Sequence, residues 1–313
     1  MIRKNVAGMS IGGGRKENFF FCLLEFYPDT GRWFLSQVNQ LKDEDVDGDE
    51  AIKSWVHEFS LKDLILDFPL SQPACSSCTL ICPGLQACPV DSVVNVRKRM
   101  NELLSVDSKM LEENPKKYEQ ERNKNEEIDF FKNEFLKESH HPMMSKSFKR
   151  KLKKGFLPYW NRPVDFWVWK HYYDPLLNIF KASYDSFGNA SLMLLARFNY
   201  LNRHFPKDLC LWESNVLLTL LELYRGGLIT KIHLQDLTIM DEAVSSRHHI
   251  VKVIEKKLNV FMYDKDLELI ITNPRAFDSF LLAITGKQMV DQKTHTIPGW
   301  ALEGNPRFVV PKF

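Results

Sequence analysis

The chain has 313 residues, of which 44% are hydrophobic and 26% are charged, and its formal net charge is +2. This composition places it in the globular class, with apolar material for one large domain or two modest ones. Because the charge is nearly balanced, any attraction to nucleic acid or anionic lipid must come from local patches. No apolar signal region follows the first residues, and no run approaches the roughly 18 apolar residues of a membrane span. We therefore expect a cytoplasmic protein without a membrane partner.

The first third of the chain alternates apolar strands with turn signals. Residues 6–11, 18–27 and 32–41 are predicted to form three strands of an antiparallel meander. An amphipathic helix is predicted at 50–59, and a fourth strand at 63–68 ends in Asp67 followed by Phe68-Pro69. This pattern indicates a sheet to which helices are added after the third strand.

Four cysteines follow the fourth strand with the spacing C-x2-C-x3-C-x5-C, namely Cys75, Cys78, Cys82 and Cys88. Four thiolates at this range can complete a tetrahedral zinc site, which is structural because no coordination position remains open. The Cys88-Pro89 pair resembles the end of a ferredoxin run, so an iron-sulfur cluster is the alternative. Two disulfides are disfavoured in a reducing compartment. Residues 71–91 are therefore predicted to be a metal-binding insertion.

A second insertion is predicted at 105–187, where a charged stretch gives way to a block rich in aromatic residues. A helix that begins near Asp91 precedes it, and a basic run occupies 146–154. Cations can contact backbone phosphates and aromatic faces can stack on bases. The alternatives are a solvated linker for the run and core packing for the aromatic residues. The residues predicted to contact nucleic acid are Arg97, Lys98, Arg99, Lys149, Arg150, Lys151, Tyr159 and Trp160.

The last third of the chain predicts helices at 189–204, 216–224 and 241–257, a strand at 209–213, and a final helix after Pro274. Asp67 and Glu213 end two strands, and Asp278 lies near the start of the final helix. Ligand sites in open α/β sheets gather at the carboxyl ends of strands, and hard divalent cations prefer oxygen ligands. These three acids are the candidate ligands for magnesium or manganese. The alternatives are a turn cap for Asp67 and a helix-dipole role for Asp278.

Several short motifs resemble the domain of unknown function 429 family of predicted nucleases, within the RNase H-like superfamily. They are Gly8-Met9-Ser10, Leu66 through Pro73, Trp212-Glu213-Ser214, Ala276 through Thr285, and Pro298-Gly299-Trp300. The resemblance implies one RNase H-like domain over 1–313, with a five-stranded mixed α/β sheet in the order 3-2-1-4-5. It also implies metal-dependent hydrolysis of the phosphodiester bonds of nucleic acid, either DNA or RNA.

One position departs from the family pattern. The first strand of the family carries an aspartate that bridges two metal ions, and Ser10 stands at that place here. A neutral hydroxyl is a weak ligand for divalent ions. The alternatives to a nuclease are therefore a catalytically decayed protein that binds nucleic acid or serves assembly and keeps a structural zinc site, or an iron-sulfur protein.

Overall fold

The computed structural model describes residues 4–11, 19–41, 47–125, 144–304 and 307–313. The chain divides into two compact units. Unit 1 comprises residues 1–70, 187–296 and 307–313, and unit 2 comprises residues 71–186 and 297–306. The sequence predicted one domain with two separate insertions, whereas both insertions and the helix between them fall in unit 2. None of the described helices has the length and apolar character needed to cross a membrane.

Unit 1 is built on a mixed sheet of six strands in the order β5-β4-β1-β2-β3-β6. The strands are β1 Lys4–Ile11, β2 Phe19–Tyr27, β3 Arg32–Leu41, β4 Asp63–Leu66, β5 Cys210–Glu213 and β6 Val260–Phe261. Strands β1, β2 and β3 pair antiparallel, while β4 is parallel to β1 and β5 is parallel to β4. The first five strands follow the expected order. The sixth, a two-residue strand parallel to β3, makes the sheet larger than the five strands predicted.

Helices cover both faces of this sheet. They are α1 Gly48–Glu58, α6 Asn189–Leu201, α7 Val216–Arg225, α8 Lys231–Asp236, α9 Ala243–Lys257, α10 Asp264–Thr272 and α11 Pro274–Val290. Side chains of a strand alternate between its faces. Ala7, Met9 and Ile11 of β1 therefore pack with the apolar sides of α1 and α6, and the residues between them face α11.

Helix α11 lies directly against the centre of the sheet, where it contacts β1, β2 and β4. A Cβ atom on Gly8 would come within 2.3 Å of the Ala283 amide nitrogen and of the Ser279 carbonyl oxygen. Only glycine leaves room for backbone this close. This close packing at Gly8 sets the distance between α11 and β1. It thereby positions the side chains that α11 presents to the strand ends.

Unit 2 is mainly helical. Its helices are α2 Asp91–Glu113, α3 Pro115–Asn125, α4 Lys146–Lys154 and α5 Pro163–Phe180. The aromatic block predicted from the sequence forms α5, whose Phe166 and Trp169 are buried with Met100 and Phe148 in an apolar cluster. The charged stretch at the start of the predicted insertion is partly core, because α4 buries Phe148 and Leu152.

Candidate functional site

Asp67 follows the last residue of β4 and lies beside the end of β1. The Ser10 hydroxyl donates a hydrogen bond of 3.1 Å to Asp67 Oδ2. Burial raises the pKa of Asp67 to about 6, although the hydrogen bonds from Ser10 and from the Asp67 and Ile11 amides favour the ionised form. A partly exposed carboxyl group with a pKa in this range can change its protonation state near neutral pH.

Asp278 reaches the same place from α11. Ser279 fixes the rotation of this helix, because its hydroxyl donates to the Phe20 carbonyl at 2.8 Å and accepts from the Ser10 amide at 3.3 Å. The neighbouring residue, Asp278, is thereby directed to the strand end where Asp67 lies. Asp278 is the fifth residue of α11, and the first turn of this helix contains no acidic residue. A role for Asp278 as a first-turn dipole partner is therefore not supported.

The charge of Asp67 acts on Asp278. Burial, and then the charge of Asp67, raise the pKa of Asp278 to about 7, while Arg275 and Arg247 oppose the shift. Arg247 is buried and donates from Nε to the Ile271 carbonyl at 2.6 Å. The site is therefore a carboxyl pair with two neighbouring guanidinium groups, a composition that suits both a cation and a phosphate.

Neither arginine was among the site residues predicted from the sequence. Arg275 could have been found, because it precedes Asp278 by three residues in a predicted helix and residues at this spacing share a face. No sequence pattern links Arg247 to the site, because it lies on a different helix, α9, and only the tertiary fold brings it near Asp278.

Glu213 occupies a different part of the same sheet edge. It pairs with Leu66 across β4 and β5, is buried, and accepts a 3.1 Å hydrogen bond at Oε2 from the Leu70 amide. Its own backbone pairs with Arg307 and Val309 near the chain end. Glu213 thus holds the loop that follows Asp67. Its predicted role as a metal ligand stays a prediction.

In the described part of the chain, no three His, Cys, Asp or Glu residues form a group arranged to hold a metal ion. Asp67, Glu213 and Asp278 therefore do not form a three-carboxylate cage. Magnesium is commonly bound by one or two carboxylates, with water and substrate phosphate completing its six positions. Asp67 and Asp278 fit that donor set, and a cation between them would offset the charge that raises the pKa of Asp278.

The four clustered cysteines lie in the first part of unit 2, on a segment with little regular structure. Cys75, Cys78 and Cys82 are exposed, Cys88 is buried, and all four are free thiols. Burial raises the pKa of the Cys75 thiol, and the other three cysteines add to the shift. In the described structure these four thiols do not form a group arranged to hold a metal ion. Four thiolates are nevertheless a donor set that suits zinc or an iron-sulfur cluster.

The three basic residues predicted on α2 have different surroundings. The Arg97 guanidinium donates to the Leu85 carbonyl, which ties α2 to the cysteine segment. Arg99 lies over the ring of Trp300, 4.4 Å from its centre. Lys98 is exposed and lines a shallow cavity of about 590 Å³ along α2. Arg97 lines the same cavity, and Lys98 is the most exposed of the three cations.

On α4 the structure separates the predicted cations into two groups. Lys149 pairs with buried Asp107, which also accepts from the Tyr118 hydroxyl at 2.7 Å. Lys151 pairs with Asp185 at 3.3 Å and lies 4.2 Å from the Trp169 ring centre. Arg150 is exposed between them. Tyr159 and Trp160, after the helix, are 60% and 41% exposed.

The predicted site residues therefore form two sets, each within its own unit. Unit 1 holds the carboxylates and their two arginines, and unit 2 holds the thiols, the cations and the exposed aromatic residues. Comparison of the chain with protein-family models, with curated proteins and with solved structures finds no match.

Proposed function

We propose that the protein is a metal-dependent nuclease that hydrolyses phosphodiester bonds of nucleic acid. The observation that carries the proposal is that Ser10 contacts both Asp67, through its hydroxyl, and Ser279, the neighbour of Asp278, through its amide, so that the two acids converge at the carboxyl end of β4. Two neighbouring carboxyl groups with raised pKa values lower the stability of a protein at neutral pH, and such arrangements are concentrated at functional sites. A divalent cation held by the pair is the simplest use for them.

The roles of the residues follow from their positions. Asp67 and Asp278 would hold one magnesium or manganese ion, which when bound supplies an activated water and stabilises charge on the phosphate. Ser10 orients Asp67 through its hydrogen bond. Arg275 lies on the first turn of α11 and would contact the phosphate and balance its charge. Glu213 keeps the loop after Asp67 in place through the Leu70 amide.

The strand order supports the resemblance to the RNase H-like superfamily. Strands β3, β2, β1, β4 and β5 follow the order that the resemblance implies, with β4 and β5 parallel to β1. Asp67 and Glu213 lie at the ends of β4 and β5, and Asp278 comes from the helix packed on the central strands. Fold alone does not determine activity, so the proposal depends on the carboxyl pair.

The test is cleavage of labelled single-stranded and duplex DNA and RNA, each with magnesium, manganese or EDTA. We expect metal-dependent cleavage by the natural protein and loss of at least about a hundredfold in Asp67→Asn and Asp278→Asn, since each change removes a charged ligand. Asp29→Asn, in an exposed turn of unit 1, is the matched control and should keep full activity. Retained cleavage in both site variants would contradict the proposal.

A second candidate, a protein on this fold that binds nucleic acid without cleaving it, is favoured by one observation. Ser10 provides a hydroxyl where the family pattern has a carboxylate, and this hydroxyl already donates a hydrogen bond to Asp67. Binding of oligonucleotides with no cleavage under any metal condition would support this candidate over the nuclease.

The four cysteines are proposed to hold structural zinc, with an iron-sulfur cluster as the alternative. The segment at 71–90 contains only two short 3₁₀ turns, Ala74–Ser76 and Leu85–Ala87, and Ile81 at its tip is 98% exposed. Such a segment has little core of its own, so a metal is the natural source of its stability. Elemental analysis of the purified protein distinguishes zinc from iron. Free thiols also agree with the cytoplasm as the proposed location.

A further inference from the structure

Helix α4 has two different sides. Phe148 and Leu152 are buried in the apolar cluster of unit 2, and the Ser145 hydroxyl caps the helix by accepting from the Phe148 amide at 3.0 Å. The helix is therefore a folded part of unit 2, and the interpretation of its basic run as a solvated linker is wrong. Its exposed cations consequently have defined positions.

Two of the cations of α4 are held in ion pairs. Lys149 and Lys151 lie on the flanks of the helix and are paired with Asp107 and Asp185. The exposed cations are Lys146, Arg150, Lys153 and Lys154. Their spacing of four, three and one residues keeps them on one side of the helix. An α-helix rises about 1.5 Å per residue, so the stripe is about 12 Å long and can meet several phosphates of one strand.

Two exposed aromatic side chains follow the stripe closely in the chain. Helix α4 ends at Lys154 with Gly155 as its C-cap, and Phe156 returns to the same apolar cluster as Phe148. The turn after it is closed by hydrogen bonds from the Trp160 and Asn161 amides to the Leu157 carbonyl. This turn presents the neighbouring rings of Tyr159 and Trp160 to solvent.

We propose that the exposed side of α4, together with Tyr159 and Trp160, binds single-stranded nucleic acid. The cations contact backbone phosphates without regard to sequence, and the two rings stack on bases that a duplex would keep paired. This inference takes its class of ligand from the proposed function, but it concerns unit 2 and requires no cleavage.

An anionic membrane surface is the competing partner, and the packing of α4 argues against it. A helix that lies on a membrane inserts its apolar side between the lipids. The apolar side of α4 is already buried by Val96, Met100 and Trp169 in the core of unit 2. What remains exposed is cationic, which suits a polyanion with accessible phosphates.

The test measures binding of fluorescein-labelled dT20 and U20 by anisotropy without added divalent metal, with Asp278→Asn as the background so that cleavage has no influence and the proposed zinc of unit 2 is kept. The stripe variant replaces Lys146, Arg150, Lys153 and Lys154 with glutamine. We expect at least about tenfold weaker binding at 100 mM salt, and a slope of log K against log salt that is smaller by about 3.

The control for the stripe variant replaces four exposed cations of unit 1 with glutamine, namely Arg203, Lys207, Lys256 and Lys257. It also removes three lysines and one arginine, and it should change binding by less than about twofold. Tyr159→Ala with Trp160→Ala should weaken binding by about tenfold. The control for this double variant is Tyr200→Ala with Tyr263→Ala, at two exposed positions of unit 1, and it should leave binding unchanged.

The outcomes are separable from those of the cleavage assay. Equal binding by the stripe variant and its control would overturn the inference, and so would binding to phosphatidylserine vesicles without binding to either oligonucleotide. Circular dichroism of each variant shows whether α4 has kept its fold. Binding through the stripe without any cleavage by the natural protein would sustain the inference while the nuclease proposal fails.

Discussion

Replacing Asp278 by asparagine should make the protein more stable at alkaline pH. Burial and the charge of Asp67 raise the pKa of Asp278 from 3.8 to about 7. Between these two values the folded protein holds a proton that the unfolded chain has released, so stability falls as pH rises through this window and is fully retained below it. Asparagine is neutral at every pH, so the variant does not lose stability through this group as pH rises.

The size of the effect follows from the shift in the pKa. About three pKa units correspond to about 4 kcal/mol, and partial exposure of the side chain reduces this to about 2 to 4 kcal/mol. Asp67 has a pKa of about 6 and remains in the variant. Loss of stability between pH 4 and 6 should therefore shrink to the part that Asp67 contributes, while the loss between pH 6 and 8 should nearly disappear.

The measurement is urea denaturation of the natural protein and Asp278→Asn at pH 5, 6, 7 and 8 in EDTA, followed by circular dichroism. Asp29→Asn is the control for removal of an exposed carboxylate. Identical declines between pH 6 and 8 in the natural protein and in Asp278→Asn would refute the assignment of the raised pKa to Asp278. The carboxyl shift of Asp278 followed by carbon NMR would give the same pKa directly.

The remaining predictions concern packing, metal and charge. Gly8→Ala should cost about 3 kcal/mol, because its Cβ would overlap the backbone of α11, whereas Gly299→Ala, with nothing within 4 Å, should be neutral in thermal denaturation. Cys78→Ser with Cys82→Ser should lose the bound zinc found by elemental analysis, and visible absorbance of the natural protein would indicate an iron-sulfur cluster instead. Ser10→Asp should raise the affinity for manganese roughly tenfold in calorimetry by adding a charged ligand, and unchanged affinity would contradict the site. Magnesium should raise the melting temperature at pH 8 in the natural protein and not in Asp278→Asn.

The strands could be predicted because they rest on local patterns, whereas the place of Ser10 came from the strand order that the resemblance implies. Apolar runs bounded by turn residues gave the first five strands, and Ser10 was expected on the strand beside Asp67, where it lies. Strand β6 has two residues, too few to show the alternation of a strand. The partner of Lys149 could not be predicted, since Asp107 is 42 residues away and only packing brings the two together.

The charge balance of the carboxyl site depends on the residue at position 10. The Ser10 oxygen is 3.1 Å from Asp67, so a carboxylate there would add a third negative group to a pair that already raises the pKa of Asp278. Arg275 and Arg247 are the cations that oppose this shift, and both are held by helices of unit 1. Serine keeps the number of acids beside these two arginines at two. In the proposed nuclease it would therefore limit the cation sites to the one that Asp67 and Asp278 could share.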